Sequence, residues 1–193
     1  MYVRDAKNRD EVWLLDRIEE MGLDETAFRS RDYVIAVDER SNDRAGFGRI
    51  RLHKSDDGDV CELTSIGVLE SWRDQGIGAH VVERLVQEAS DQDFETVYSL
   101  TDEPNFLVQF GFGPLDAEDL PPSLQDRLET KRETIDADVV PVELAIEEFT
   151  MPEHLRESFK SAAENDGPDE PEESAEDFGI DPDEATYKYD TSR

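Results

Sequence analysis

The sequence predicts a mixed α/β fold in which an antiparallel meander precedes a strand–helix–strand crossover. Three observations predict it. Apolar runs at Tyr33–Val37, Ala45–His53 and Val60–Leu69 are joined by short polar turns. Apolar positions then take helical spacing through Ile77, Val81, Val82, Leu85, Val86 and Ala89. A further strand, Thr96–Leu100, follows at the separation a parallel crossover needs.

The elements follow in chain order. Tyr2–Val3 opens a short first strand. Asn8 or Asp10 caps a helix to Met21, with Val12, Leu14, Leu15 and Ile18 on one side and Gly22 as its terminating glycine. Tyr33–Val37 is apolar throughout and reads as a buried strand. Ser41–Arg44 is a turn, Ala45–His53 alternates, and Ser55–Asp59 is a hairpin turn into the third strand of the meander. After the crossover, Phe106–Phe110 reads as a short helix ended by Gly111. Leu120–Glu133 is a helix entered through Pro121 and Pro122, and Val139–Phe149 is a final strand. The domain is expected over residues 1–150. A short helix over 151–163 follows, with Thr150 and Glu153 at capping-box spacing and Leu155 and Phe159 on one side. Residues 164–193 form an acidic tail of disordered composition, in which Tyr187 and Tyr189 are candidates for docking back on the body.

Composition limits the function. The chain has 193 residues, 50 of them acidic and 20 basic, for a net charge of −30. Phosphate backbones and anionic membranes are bound by basic patches, so neither nucleic acid nor membrane is an expected partner. The charge is not confined to the tail, because residues 1–149 alone carry 36 acidic and 16 basic side chains. Fifteen of the 20 basic residues are Arg. Such an acidic, Lys-poor body repels itself in dilute buffer and is screened in molar salt, where the Debye length is about 3 Å. The composition resembles that of cytoplasmic proteins from extreme halophiles. The single Cys61 excludes an internal disulfide, and His53, His80 and His154 lack ligand spacing, so no metal site is expected. No signal-peptide pattern and no long apolar run is seen, which predicts a soluble cytoplasmic protein.

The chemistry is expected in Glu62–Ala79, ELTSIGVLESWRDQGIGA. Gly76 and Gly78 open the long helix directly after a strand, so backbone N–H groups can approach a ligand closely. The helix start adds unpaired donors and its dipole, and Arg73 adds a guanidinium able to fork onto phosphate. The combination reads as a pyrophosphate site. A dinucleotide fingerprint would need glycine where Val81 stands, and no Gly-Lys-Ser/Thr tripeptide is present.

Arg73–Ala79 (RDQGIGA), preceded by Ser65–Val68 (SIGV) and followed by a long amphipathic helix, resembles the acetyl-coenzyme A site of the GNAT acetyltransferase superfamily. The likeness runs from Tyr2 to about Phe149, with Gly111-Phe112 as a second landmark. More loosely, Leu100-Thr101, Phe106, Gly111-Phe112 and Leu120-Pro121 are similar to the acetyltransferase domain of bacterial N-acetylglutamate synthases. The resemblance implies a GNAT-like sheet with a splayed central strand pair that admits the pantetheine arm. It implies that Ile66, Gly67 and Val68 pair with that arm. Backbone groups of Asp74, Gln75, Gly76, Ile77, Gly78 and Ala79, supported by Arg73, would hold the pyrophosphate, and Asn105 and Phe106 would line the far side. A free amine would attack the thioester directly.

Glu62 lies six residues before Val68, where such enzymes often have a carboxylate that takes the amine's proton. It is the candidate general base, weighed against a structural role. Many members place Tyr four residues before the Gly-Phe glycine as acid for the thiolate, and here that residue is Leu107. Tyr98 is a candidate substitute, weighed against packing. Cys61 reads as a core thiol. Acceptor pockets in this superfamily correspond to Glu20–Arg31 and Gly113–Lys131, where Arg29 and Arg31 could meet a carboxylate. The expected activity is acetyl-CoA-dependent N-acetylation of a small-molecule amine, including an amino acid. The alternatives are peptide or protein N-acetylation, and a non-catalytic acetyl-CoA sensor or assembly module. Strand edges offer a route to a homodimer, without a specific signal.

Overall fold

The computed structural model describes residues 1–162. Strand β1 (Tyr2–Asp5) and helix α1 (Glu11–Glu20) precede the meander β2 (Tyr33–Val37), β3 (Arg44–His53) and β4 (Val60–Val68). Helix α2 (Ile77–Asp91) leads to β5 (Thr96–Thr101), the short helix α3 (Pro104–Val108) and a two-residue strand, β6 (Gly113–Pro114). Helix α4 (Pro122–Thr134), β7 (Val140–Ala145) and α5 (Glu153–Ala162) complete the described part. One mixed sheet results, in the order β1-β2-β3-β4-β5-β7-β6, with β4–β5 its one parallel pair among the described residues. This is the fold class read from the sequence. The acidic stretch from 164 onward, with Tyr187 and Tyr189, lies outside the described residues.

The apolar run of β2 is explained by helices on both faces of the sheet. Val34 and Ala36 pack with α2 residues Val81, Val82 and Leu85, while Tyr33, Ile35 and Val37 pack with Leu14 and Ile18 of α1. A third cluster joins Leu124 and Leu128 of α4 to Leu100 of β5. Burying each large aliphatic side chain contributes roughly 1.5–3 kcal/mol. Gly48 lets α2 approach β3, since a Cβ there would lie 2.6 Å from Val81 Cγ1.

Several boundaries differ from expectation, each for a local reason. Asp10 precedes α1 but makes no side-chain cap. Its carboxylate is fully buried and accepts from Arg4 (2.7 Å), Arg44 (2.9 Å) and the Lys7 N–H (2.8 Å). Burial pushes its pKa up, and those donors reverse this to hold it well below the usual carboxylate range. The short helix starts at Pro104, earlier than Phe106, because proline suits a first turn. The last strand stops at Ala145. Ile146–Glu148 then form a 3-10 turn, and the Thr150 N–H donates to Phe110 O, which steers the chain across α3. The pairing of β6 with β7 had no signal, since Gly and Pro are poor strand formers.

Candidate active site

The parallel pair β4–β5 is joined at a single ladder position, Glu62 opposite Tyr98, and then separates. Two side chains span the opening. Ser99 Oγ donates to Leu63 O at 2.8 Å, and Lys131 Nζ of α4 reaches Leu100 O (2.9 Å) and Thr64 Oγ1 (3.2 Å). Past Thr64, the β5-facing edge of β4 has no ladder partner among the described residues.

A bulge shapes this edge. Phe47 pairs with Gly67 but Arg49 pairs with Thr64, so β4 carries one extra residue around Ser65 and Ile66. Ser65 has φ +49°, uncommon for a non-glycine residue. Its hydroxyl donates to Asp24 O at 2.7 Å, tying the bulge to the loop after α1.

A cavity of about 780 Å³ runs along the separated strands to the start of α2. Of the residues expected to meet the coenzyme, Ile66, Val68, Arg73, Asp74, Gly76, Ile77, Gly78, Ala79 and Phe106 line it. Gly76 has φ +73°, and the first bond of α2 runs from the His80 N–H to Gly76 O. Helix geometry therefore leaves the N–H groups of Ile77, Gly78 and Ala79 without intrahelical acceptors. A Cβ at Gly78 would lie 3.0 Å from Phe106 Cζ, so this glycine keeps the wall between α2 and α3 thin. The donor set suits a diphosphate, and the opened strand edge suits an extended amide-bearing arm.

Other predicted residues are not brought to the cavity. Gly67 faces α1, where Met21 Sδ and Phe47 would crowd a Cβ, and it lines a neighbouring groove. Gln75 donates to Ser71 O at 3.2 Å and braces the turn. Asn105 is exposed on the outer side of α3, because Phe106 and Leu107 turn inward. Tyr98 packs with the α4 cluster and is absent from the cavity lining, so it is not placed to serve as the acid. Burial, with Glu143 nearby, raises its pKa. Arg29 and Arg31 are exposed and away from the cavity.

Glu62 also departs from its expected role. It is fully buried and absent from the cavity lining. Its Oε2 is 2.8 Å from His53 Nε2 and accepts from Arg127 Nε, while Oε1 lies 3.8 Å from Lys131 Nζ. Burial raises its pKa, but the His53 hydrogen bond and the Lys131 and Arg127 charges outweigh it and bring the value to about 2. So stabilised a carboxylate is a poor acceptor for an ammonium proton, and the geometry opposes the general-base expectation. Cys61 is a buried thiol raised to about 12, first by burial and then by Glu62 and Glu88, which suits a core residue.

Sequence reasoning missed the polar network around Glu62. Arg127 of α4 also donates to Asp24 Oδ2 at 2.6 Å. Arg49, almost fully buried, donates to Thr26 O (2.8 Å) and Ala27 O (2.6 Å). Burial raises the Asp24 pKa, while Thr26 and Arg127 more than reverse this, holding it well below the usual range. Asp24 and Lys131 line the cavity. The signals available were Glu62 itself, a carboxylate on the third strand of the meander, and the acceptor stretches Glu20–Arg31 and Gly113–Lys131, which contain Asp24, Arg127 and Lys131. Helix α5 was expected, but not its position. Leu155 lines the cavity, Phe159 stacks on His80 at 3.7 Å, and a Cβ at Gly76 would collide with Leu155 O.

A family model, Acetyltransferase (GNAT) family, matches residues 3–112. Among solved structures, N-acetylglutamate synthase from Neisseria gonorrhoeae, complexed with coenzyme A and N-acetyl-glutamate, matches at TM-score 0.62 and 14% identity. That match covers 75% of this chain and 35% of the synthase, so the chain spans about a third of its length. Rv2747 from Mycobacterium tuberculosis, in complex with CoA, matches at TM-score 0.61 and 18% identity, over 75% of this chain and 99% of that one. Arabidopsis thaliana NAA60, in complex with a bisubstrate analogue, matches at TM-score 0.50 and 16% identity, over 60% of this chain and 84% of that one. At these identities the solved structures speak to the fold. The family model covers more than half of the sequence, and the chain belongs to the GNAT acetyltransferase family.

Proposed function

Taking that membership as premise, we propose that this chain is an acetyl-CoA-dependent N-acetyltransferase acting on a primary amine of a small molecule, an amino acid included. The observation that carries the reading is the cavity joining the β4–β5 opening to the glycine-opened start of α2. When bound, acetyl-CoA supplies a thioester for direct attack by the amine. The N–H groups of Ile77, Gly78 and Ala79 hold the pyrophosphate, with Arg73 supporting them. In a chain of net charge −30 these few donors offset a general repulsion of anions. The free edge of β4 at Ile66 and Val68 pairs with the pantetheine arm. Gly67 contributes through its backbone, and neither Gln75 nor Asn105 is assigned a contact.

The acceptor end favours a small amine. Arg49, Ser65 and Arg127 pin the loop after α1 against the bulge and α4, so that end is braced by hydrogen bonds, which supports a small acceptor over an extended peptide. A second reading, a coenzyme-binding sensor, is favoured by one pair of observations: Leu107 replaces the usual Tyr, and Glu62 is a poor base. A thiol-release screen in molar KCl across amino acids, polyamines and peptides separates the readings. Turnover with a small amine supports the proposal, turnover with peptides alone replaces it, and binding without turnover favours the sensor. Calorimetry with Arg73→Glu should show coenzyme affinity reduced at least about tenfold; unchanged affinity would refute the phosphate assignment.

A further inference from the structure

Lys131 stands where the two central strands part. Glu62 and Tyr98 form the last ladder position, and Thr64 and Leu100 are the corresponding residues one step further. Lys131 Nζ bonds to both, at 3.2 and 2.9 Å, so its ammonium sits at the vertex of the opening in place of a ladder bond. It is 7% exposed and lines the cavity. Two of its three protons are engaged by those oxygens. The third has no hydrogen-bond acceptor among the described residues, as the nearest carboxylate oxygen, Glu62 Oε1, is 3.8 Å away. The other cation on the cavity wall, Arg73, is exposed and lies beyond the end of β4. Leu107, on the same wall, has no proton to give.

We infer that Lys131 is a catalytic residue whose ammonium faces the reacting sulfur, stabilises the departing thiolate and protonates it. The inference rests on the acetyltransferase reading. In the step, the acceptor nitrogen bonds to the acetyl carbon as the carbon–sulfur bond breaks, and its electron pair goes to sulfur. Lys131 gives sulfur one proton. The new amide nitrogen releases one proton to solvent, and Lys131 recovers one from solvent.

The charged surroundings suit this role. Burial lowers the Lys131 pKa, Glu62 raises it, Arg127 on its own helix lowers it, and Asp24 and Asp102 raise it; the net result lies below the ordinary lysine value. The ammonium is therefore a stronger acid than a surface lysine, while the Glu62 carboxylate works against loss of its proton. On the same sheet face Arg49, Arg51 and His53 of β3 pair with Thr64, Glu62 and Val60, and Glu143 of β7 pairs with Tyr98.

The test uses the full chain in molar KCl with coenzyme A itself, whose thiolate is followed by ultraviolet absorbance across pH. A free thiol titrates near pH 8.5. Bound to the wild-type protein, the thiolate-to-thiol ratio should rise at least about tenfold over free coenzyme at the same pH. In Lys131→Met the ratio should return to the free value with coenzyme affinity largely kept, and kcat should fall about a hundredfold. A bound thiol that titrates like the free one overturns the inference, and this wild-type measurement decides even where the variant fails to fold. Lys131→Met with the wild-type ratio also overturns it. Absence of coenzyme binding defeats the acetyltransferase reading and this inference together, whereas binding with an unshifted thiol defeats this inference alone.

Discussion

The two ends of the cavity are built in opposite ways. The proposed phosphate end is nearly continuous in sequence: Arg73, Asp74, Gly76, Ile77, Gly78 and Ala79 all reach the wall within one loop and helix start. The fork end is assembled from Asp24, Thr64, Ser65, Ser99 and Lys131, held by Arg127, whose bond to Asp24 spans 103 residues. At the first end the groups proposed to meet the ligand are backbone donors, fixed by where glycine permits a turn. At the second they are side chains, and their chemistry depends on which charges the fold buries together. A local motif therefore resists rearrangement elsewhere in the chain, while the fork is only as rigid as its buried ion network.

The largest expected effect tests that network. Arg127→Ala removes a partner from both Glu62 and Asp24, and breaking a buried pair from one side costs roughly 3–5 kcal/mol. Denaturant unfolding in molar KCl should show a loss in that range, with the phosphate end still competent in whatever fraction folds. A loss below about 1 kcal/mol would mean that the fork does not depend on its ions.

Acid should reveal the same asymmetry. The folded Glu62 pKa, about 2, is below its model-peptide value of 4.5, so its stabilisation is present above pH 4.5 and lost as pH falls toward 2. The contribution is on the order of 3 kcal/mol. Melting temperature should drop steeply over that window in the wild type and less steeply in Glu62→Gln. Parallel curves would detach acid sensitivity from this carboxylate.

Smaller effects are expected at the phosphate end. Gly76→Ala forces a left-handed alanine, about 1–2 kcal/mol, and also pushes against Leu155 of α5. It should destabilise by about 2 kcal/mol and weaken coenzyme binding. Gly22→Ala shares the positive φ but meets no atom within 4 Å, so about 1 kcal/mol is expected with binding unchanged. Equal effects of the two substitutions would show that the contact with α5 contributes nothing.

Legibility in the sequence followed the same division. The meander, the crossover and the helix opened by Gly76 and Gly78 could be read because period, turn residues and helix starts are local. Phe106 could be placed within the short helix before Gly111 for the same reason, while its place at the cavity was implied only by the family resemblance. Glu62 was seen as a strand carboxylate, but its burial under α4 was not, since Arg127 and Lys131 come 65 and 69 positions later and reach it only through tertiary packing. Lys131 fell at the end of the acceptor stretch Gly113–Lys131 but was not singled out, because a lysine on a polar helix ordinarily faces solvent. Asp10 was read as a cap, and two arginines from other strands claimed its carboxylate instead.

By itself the sequence determined a mixed sheet, a long helix behind its central strand and a glycine-opened turn at that helix start. Those features depend on backbone conformation, which neighbouring residues specify. Tertiary structure alone decided which charged groups lie at the fork, that Glu62 is held as an ion and that Lys131 faces the cavity. Burial and distance set the proton affinity of a side chain, and neither is defined until distant segments of the chain have packed together.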